Sequence, residues 1–224
     1  MKVKISIPTS LSEIKLSQYQ KFVKIASENE EGTFLNQKMV QIFCNVDLFV
    51  VAKMKQQDLN YAVNQIAELF KKIPELVTKF TLNGTEFGFI PNLNDMSSGE
   101  YMDLDGYIVD WEDSHKSMAV LYRPIKQKLG NKYLIEDYEG SDKYSELMLD
   151  APMDVVLSSK VFFWTLGREL LKNTIAFLEE SNPMSLANKH NLGSDGVGIL
   201  QSMPYHKEML DDLMKLPNFP LINA

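Results

Sequence analysis

Apolar positions in the first 80 residues recur mostly every three or four residues, the period of helices packed on a core. Tyr19, Phe22, Val23 and Ala26 form one stripe, which Gly32 closes. Ser17 and Gln20 precede it as a capping box, the Ser17 hydroxyl accepting an orphan amide while Gln20 reaches back. Over residues 37–54 the apolar positions Met39, Val40, Ile42, Phe43, Val46, Leu48, Phe49 and Val50 cover most sides. That breadth predicts a central buried helix, with a candidate break at Asn45-Val46-Asp47. A third stripe (Leu59, Val63, Ile66, Leu69, Phe70, Ile73) follows Asp58 as N-cap and stops before Pro74. Ahead of all three, residues 2–7 alternate, with Val3, Ile5 and Ile7 on one face, and predict an edge strand ended by Pro8.

The period changes again at residues 80–90, where two β-prone runs flank Asn83-Gly84, the pair suited to a two-residue hairpin turn. The Asn83-Gly84-Thr85 sequon is accounted for by that turn. Ser97 and Glu100 spell a second capping box, opening a helix expected to turn Tyr101, Leu104, Tyr107 and Ile108 inward. A further helix over residues 111–122 should stop before Pro124, and residues 132–137 suit a second hairpin or edge strand after Gly130-Asn131. Pro152 fits the first turn of the longest helix, residues 153–180, with Val156, Phe163, Leu166, Leu170 and Leu178 facing the core. Beyond Asn182-Pro183 the texture changes to a linker carrying Gly193, Gly196 and Gly198. A short amphipathic helix (205–216) and an extended ending (217–222) follow. The expected architecture is α+β and predominantly helical, with short hairpins at 81–90 and 132–135. It comprises a globular domain over 1–180 and a poorly ordered or extended carboxy-terminal arm over 181–224.

Composition narrows the class. With 45% apolar and 24% charged residues over 224 positions, the chain can bury a substantial core without disulfide or metal staples. The single cysteine, Cys44, lies in an apolar helical pattern and reads as a buried small hydrophobe in a reducing compartment. Residues 1–8 alternate instead of forming the apolar block of a signal peptide, and no run approaches the roughly 20 apolar residues of a membrane span. A soluble cytoplasmic protein is the expectation. The net charge of −7 is uneven: residues 1–80 carry +3, residues 81–150 carry −8 and the remainder −2. The acidic middle would repel nucleic-acid phosphates, so neither nucleic acid nor membrane is an expected partner.

Between Glu86 and Asp113 there are eight carboxylates and no Lys or Arg, which reads as a charged surface for meeting another protein. Asp103-Leu104-Asp105-Gly106 opens like a calcium loop, but Ser114 stands where the loop needs a bidentate Glu, and a solvated helix face is the better reading. His115, His190 and His206 lack partners at ligand spacing, and no nucleophile elbow, P-loop or dinucleotide fingerprint occurs. No catalytic, metal or cofactor site is therefore expected. The expected partner-binding residues are Glu100, Asp103, Asp110, Glu112 and Asp113 on the acidic helix, and Met209, Leu213, Met214, Phe219, Leu221 and Ile222 on the arm. The apolar arm either docks on its own domain or enters a groove on a partner.

Four strings carry a resemblance: IPTSLSEI (7–14), FGFIPNL (87–93), GEYMDL (99–104) and HKSMAVLYRPI (115–125). In this order they resemble small proteins encoded among the structural genes of tailed bacteriophages, including tail-assembly-chaperone-like and virion-associated proteins. The resemblance spans about the first 180 residues and brings no catalytic residues with it. It implies a non-enzymatic virion or particle-assembly role (head, portal or tail region) in contact with other phage structural proteins. The setting would be the host cytoplasm during assembly and then the virion, and homo-oligomers fit such a role. A tail assembly chaperone absent from the mature particle is the alternative, and an enzyme is the competing class.

Overall fold

The computed structural model describes residues 5–166 apart from 31, 73 and 131. Helix α1 (Leu16–Glu28) buries Leu16, Tyr19 and Phe22, three residues apart along one face. Its start does not use the expected Ser17/Gln20 box. The Gln18 side chain accepts from the Lys15 amide at 2.9 Å, while Leu16 and Ser17 donate their amides to the carbonyls of Ala151 and Leu149. Backbone from the far end of the described chain thus satisfies the orphan donors that a side chain was expected to serve. Gln20, freed from capping, reaches the Trp111 and Glu112 carbonyls.

The broad apolar run divides into α2 (Thr33–Phe43) and the single turn α3 (Leu48–Val51), broken at the expected place. Asn45 takes a positive φ of 50° there, and the Asp47 side chain caps α3 by accepting from the Phe49 amide. Helix α4 (Gln56–Phe70) begins three residues earlier than expected, so Asp58 lies inside the first turn, where the helix dipole favours its charge. Tyr19, Phe22, Phe43 and Phe70 join α1, α2 and α4 through ring contacts of 5.3–5.9 Å.

Strands β1 (Lys79–Leu82) and β2 (Thr85–Phe89) close the hairpin, with Asn83 at φ 48° and Gly84 at φ 80° in the turn. After a 3₁₀ turn at Leu93–Asp95 come α5 (Ser98–Tyr107) and α6 (Ser114–Leu121). They are followed by β3 (Tyr122–Leu129), β4 (Lys132–Ile135), α7 (Asp142–Met148) and α8, whose described part covers 153–166. The four strands form one antiparallel sheet in sequence order, with α5 and α6 inserted between β2 and β3. Phe87, Phe89 and Tyr122 are buried on one sheet face, where rings from α7 and α8 meet them: Tyr144 on Phe87 at 5.6 Å, and Phe162 on Phe89 at 5.6 Å. On the opposite face Gly88 lets the Tyr133 ring lie against the backbone, and the Tyr133 hydroxyl donates to the Phe89 carbonyl at 2.8 Å.

The fold is α+β and mostly helical, as expected, with eight helices among the described residues. Three local readings change. Residues 5–8 are not in a strand, and 1–4 lie outside the described residues. Strand β3 begins where a helix was expected to end: α6 stops at Leu121, before Pro124 as expected, and the chain continues straight into the sheet with Pro124 as the third residue of β3. Helix α7 was not anticipated, because its short sequence DKYSELM carries only a few apolar positions. The proposed arm (181–224) and the second half of the long helix lie outside the described residues.

Candidate functional site

The acidic run does not form one exposed helix. Its carboxylates divide between α5 and the turn that joins α5 to α6, and most already have partners inside the chain. At the start of α5, Ser97 and Glu100 form the expected capping box: the Ser97 hydroxyl accepts from the Glu100 amide at 3.2 Å and Glu100 Oε2 accepts from the Ser97 amide at 2.7 Å. The same carboxylate is 6% exposed and receives Arg123 of β3 at 2.5 Å. Burial pushes the Glu100 carboxyl up, but the bonds from Ser97 and the Arg123 guanidinium outweigh it and hold the group below the usual carboxylate range. Arg123 also lies against the Tyr138 ring, 5.4 Å from its centroid. Asp103 accepts a short hydrogen bond from the Tyr138 hydroxyl, and burial followed by that bond raises the phenol well above its ordinary pKa. Glu86 pairs with Lys128, Asp95 with the Asn92 amide, and Asp113 with Lys116 at 2.8 Å.

Glu100, 6% exposed and paired with Arg123, does not lie on the surface expected of a partner-binding residue, while Asp103 is half-buried with its carboxylate bonded to Tyr138. The cations that answer the acidic run come directly after it in sequence: Lys116 meets Asp113 within the first turn of α6, and β3 brings Arg123 to Glu100 and Lys128 to Glu86. Asp110 and Glu112 are exposed and Asp113 is half-exposed, all in the α5–α6 turn that Gln20 ties to α1. Tyr101 and Tyr107, expected inward, are 63% exposed and half-buried respectively, while Leu104 and Ile108 do face the core. Tyr101, Met102 (71% exposed) and Asp105 instead share the outer side of α5. Met209, Leu213, Met214, Phe219, Leu221 and Ile222 lie outside the described residues.

Two features escaped the sequence reading. The first is Lys160, 1% exposed, which the pattern hid inside an apolar helical run. Its Nζ donates to the Ile108 carbonyl at 2.6 Å and sits 4.6 Å from the centroid of the Trp111 ring. Ile108 is the residue that ends α5, so the lysine serves a carbonyl at a helix C-terminus, where a cation is favoured. Burial lowers the amine to about 7, with Asp110 opposing. Enclosed as it is, this amine acts as an internal tie between α8 and α5.

The second feature is a groove of ≈ 1240 Å³ beside α8. Phe89, Ile90 and Leu93 contribute to one side, the β3–β4 hairpin contributes Gln127, Leu129, Lys132 and Leu134, and α8 contributes Phe162 and Leu166. The strand register places Gln127, Leu129, Lys132 and Leu134 on one face of the hairpin. Leu129 and Leu134 are 76% and 62% exposed, the largest apolar exposures outside the helices among the described residues. Neither KQKL nor KYLI alternates cleanly, and without β3 there was no second strand to pair with residues 132–135.

Cys44 is buried as expected, and burial raises its thiol to about 11. No group of three His, Cys, Asp or Glu among the described residues is placed to hold a metal ion, and no described helix is long and apolar enough to cross a membrane. No protein-family model matches the chain, and no curated protein or solved structure matches it significantly.

Proposed function

We propose that this chain is a non-enzymatic particle component or assembly factor of a tailed bacteriophage, working through protein–protein contacts. The observation that carries the reading is where the four resembling strings lie. FGFIPNL contributes β2, which pairs with the LYRPI part of β3 through Gly88↔Arg123 and Phe89↔Tyr122. GEYMDL supplies Glu100, which grips the same Arg123. IPTSLSEI brings Leu11 and Ile14 into the common core. Strings scattered over 119 positions thus lie in one interlocked unit, an arrangement compatible with the proposal. The exposed aromatic and methionine side chains on α5 supply apolar contact area of the kind such a role needs. Lys160, the amine with the most depressed pKa, is enclosed and absent from the groove wall, so it offers the enzymatic reading no reachable group.

Tagged chain recovered from infected cells, with co-purifying proteins identified by mass spectrometry, tests the proposal. Capture of phage structural proteins is expected, and an eluate free of them sinks it. Mass spectrometry of purified particles then separates a resident component from a tail assembly chaperone, which the mature particle would lack.

A further inference from the structure

We infer that the groove beside α8 is a docking site for this chain's own segment 208–214, Glu-Met-Leu-Asp-Asp-Leu-Met. At ≈ 1240 Å³ the groove exceeds the roughly 300–1,000 Å³ typical of small-molecule pockets and suits a length of polypeptide. Its wall is apolar at Phe89, Leu129, Leu134 and Phe162, and it includes Lys79 and Lys132 with no carboxylate among the described lining residues. The segment has the matching chemistry. Met209, Leu210, Leu213 and Met214 recur at helical spacing, and Glu208, Asp211 and Asp212 stand between and beside them. Thioether side chains adapt to an irregular apolar surface, and the carboxylates answer the two lysines.

Connectivity favours the same chain over a second copy. Leu166, the last described residue, is itself part of the groove wall, so the chain leaves from the site it would refill. Between Leu166 and Met209 lie 42 residues, containing Gly193, Gly196 and Gly198. With the helix expected over 153–180 carried to its end, about 21 Å beyond residue 166, the 28 residues 181–208, spanning about 30 Å root-mean-square as a coil, still allow a return to the groove. Such a tether holds the segment at an effective concentration in the millimolar range, above the concentration of free copies in solution. This inference is independent of the phage reading.

Disulfide trapping in the full-length chain tests it. Leu134 is 62% exposed and Leu213 lies in the segment, so Leu134→Cys with Leu213→Cys leaves the described core intact. Tyr61→Cys with Leu213→Cys is the control, since Tyr61 is 60% exposed on α4 and off the groove wall. Under mild oxidation the first pair is expected to close an intramolecular disulfide at least about 10-fold faster than the control, read by intact mass and non-reducing electrophoresis. Equal rates, or a product that is mainly a disulfide-linked dimer, overturn the inference, the latter assigning the groove to a second copy. As an independent readout, Leu134→Asp should abolish hydrogen-exchange protection of residues 208–214. Exchange there that is the same with and without the substitution overturns it as well.

Discussion

Lys160→Met replaces the buried amine with an apolar chain of similar length, and its effect on stability should change with pH in a way few substitutions reproduce. Folding takes this group from an ordinary lysine pKa near about 10.4 to about 7, because burial disfavours the cation more than Asp110 supports it. Between these values the unfolded chain holds a proton that the folded chain has released, so the stability of the fold rises with pH. Above the unfolded value both states are neutral and the buried cation imposes no penalty. As pH falls through 7 the folded state takes up the proton, and the full penalty is present below that. At ~1.4 kcal/mol per pH unit between the two pKa values, the native chain should gain about 2–3 kcal/mol over the variant from pH 6 to pH 9. Losing the bond to the Ile108 carbonyl costs the variant roughly 1–3 kcal/mol, but this is independent of pH. Other titrating groups are common to both chains and cancel in the difference. Urea denaturation followed by far-UV circular dichroism at pH 6, 7, 8 and 9 gives that difference directly. A stability difference that stays constant to within about 0.5 kcal/mol across this range would refute the reasoning.

Three further outcomes are expected. Glu100→Ala leaves Arg123 buried without its carboxylate and should destabilise by about 3–5 kcal/mol. Adding Arg123→Met should recover part of that loss, and a double-mutant cycle in urea showing simple additivity would remove the pair from the account. In Gly88→Ala the new Cβ would stand 2.4 Å from Tyr133 Cε2 and 3.0 Å from Ile125 Cγ1, so the ring must leave the backbone it covers. The expected loss is about 1–3 kcal/mol, seen as a lower melting temperature, and an unchanged melting temperature contradicts the close approach. Cys44, with its thiol raised to about 11, should react with a disulfide reagent at pH 8 roughly 100-fold more slowly in the folded chain than in denaturant. Equal rates would mean that the thiol is not enclosed.

Local chemistry was legible wherever it was self-contained. Asn83-Gly84 specified its own turn because both positions need positive φ, and Ser97 with Glu100 specified its own cap because donor and acceptor lie three residues apart. The break near Asn45 was visible for the same reason. What stayed hidden depended on partners distant in sequence. The Ser17/Gln20 box spelled a helix start correctly to within two residues, yet the capping groups are carbonyls 132 and 135 positions away. Strand β3 escaped because YRPIKQKL has no clean alternation; its shape comes from neighbours on both sides and from a register shift between Ile125 and Gln127. Lys160 escaped because a lysine in an apolar helical run signals only that its helix has a polar position, while the carbonyl it serves sits 52 residues earlier. The pairing of Glu86, Glu100 and Asp113 inside the fold was not legible because the charge count was made within the run, and its counter-charges lie just beyond it.

That pairing bears on where a partner would be met. Glu100, buried against Arg123, and Asp103, half-buried on the Tyr138 hydroxyl, hold α5 in place, and the other side of the same helix is the more exposed. There Tyr101 and Met102 are 63% and 71% exposed, with Asp105 beside them. An aromatic ring, a thioether and a carboxylate make a plausible contact centre, since a few large side chains supply most of the energy of an interface. Tyr101→Ser with Met102→Ser should therefore leave stability within about 1 kcal/mol of the native chain, because neither side chain is buried. On the proposed phage reading, the same double variant should lose the co-purifying structural proteins from a pull-down in infected cells. Glu100→Ala, by contrast, should reduce stability and capture together. If the double variant recovers the same proteins in the same yield, the outer side of α5 is not the contact, and the exposed α5–α6 turn with Asp110 and Glu112 is the next surface to test.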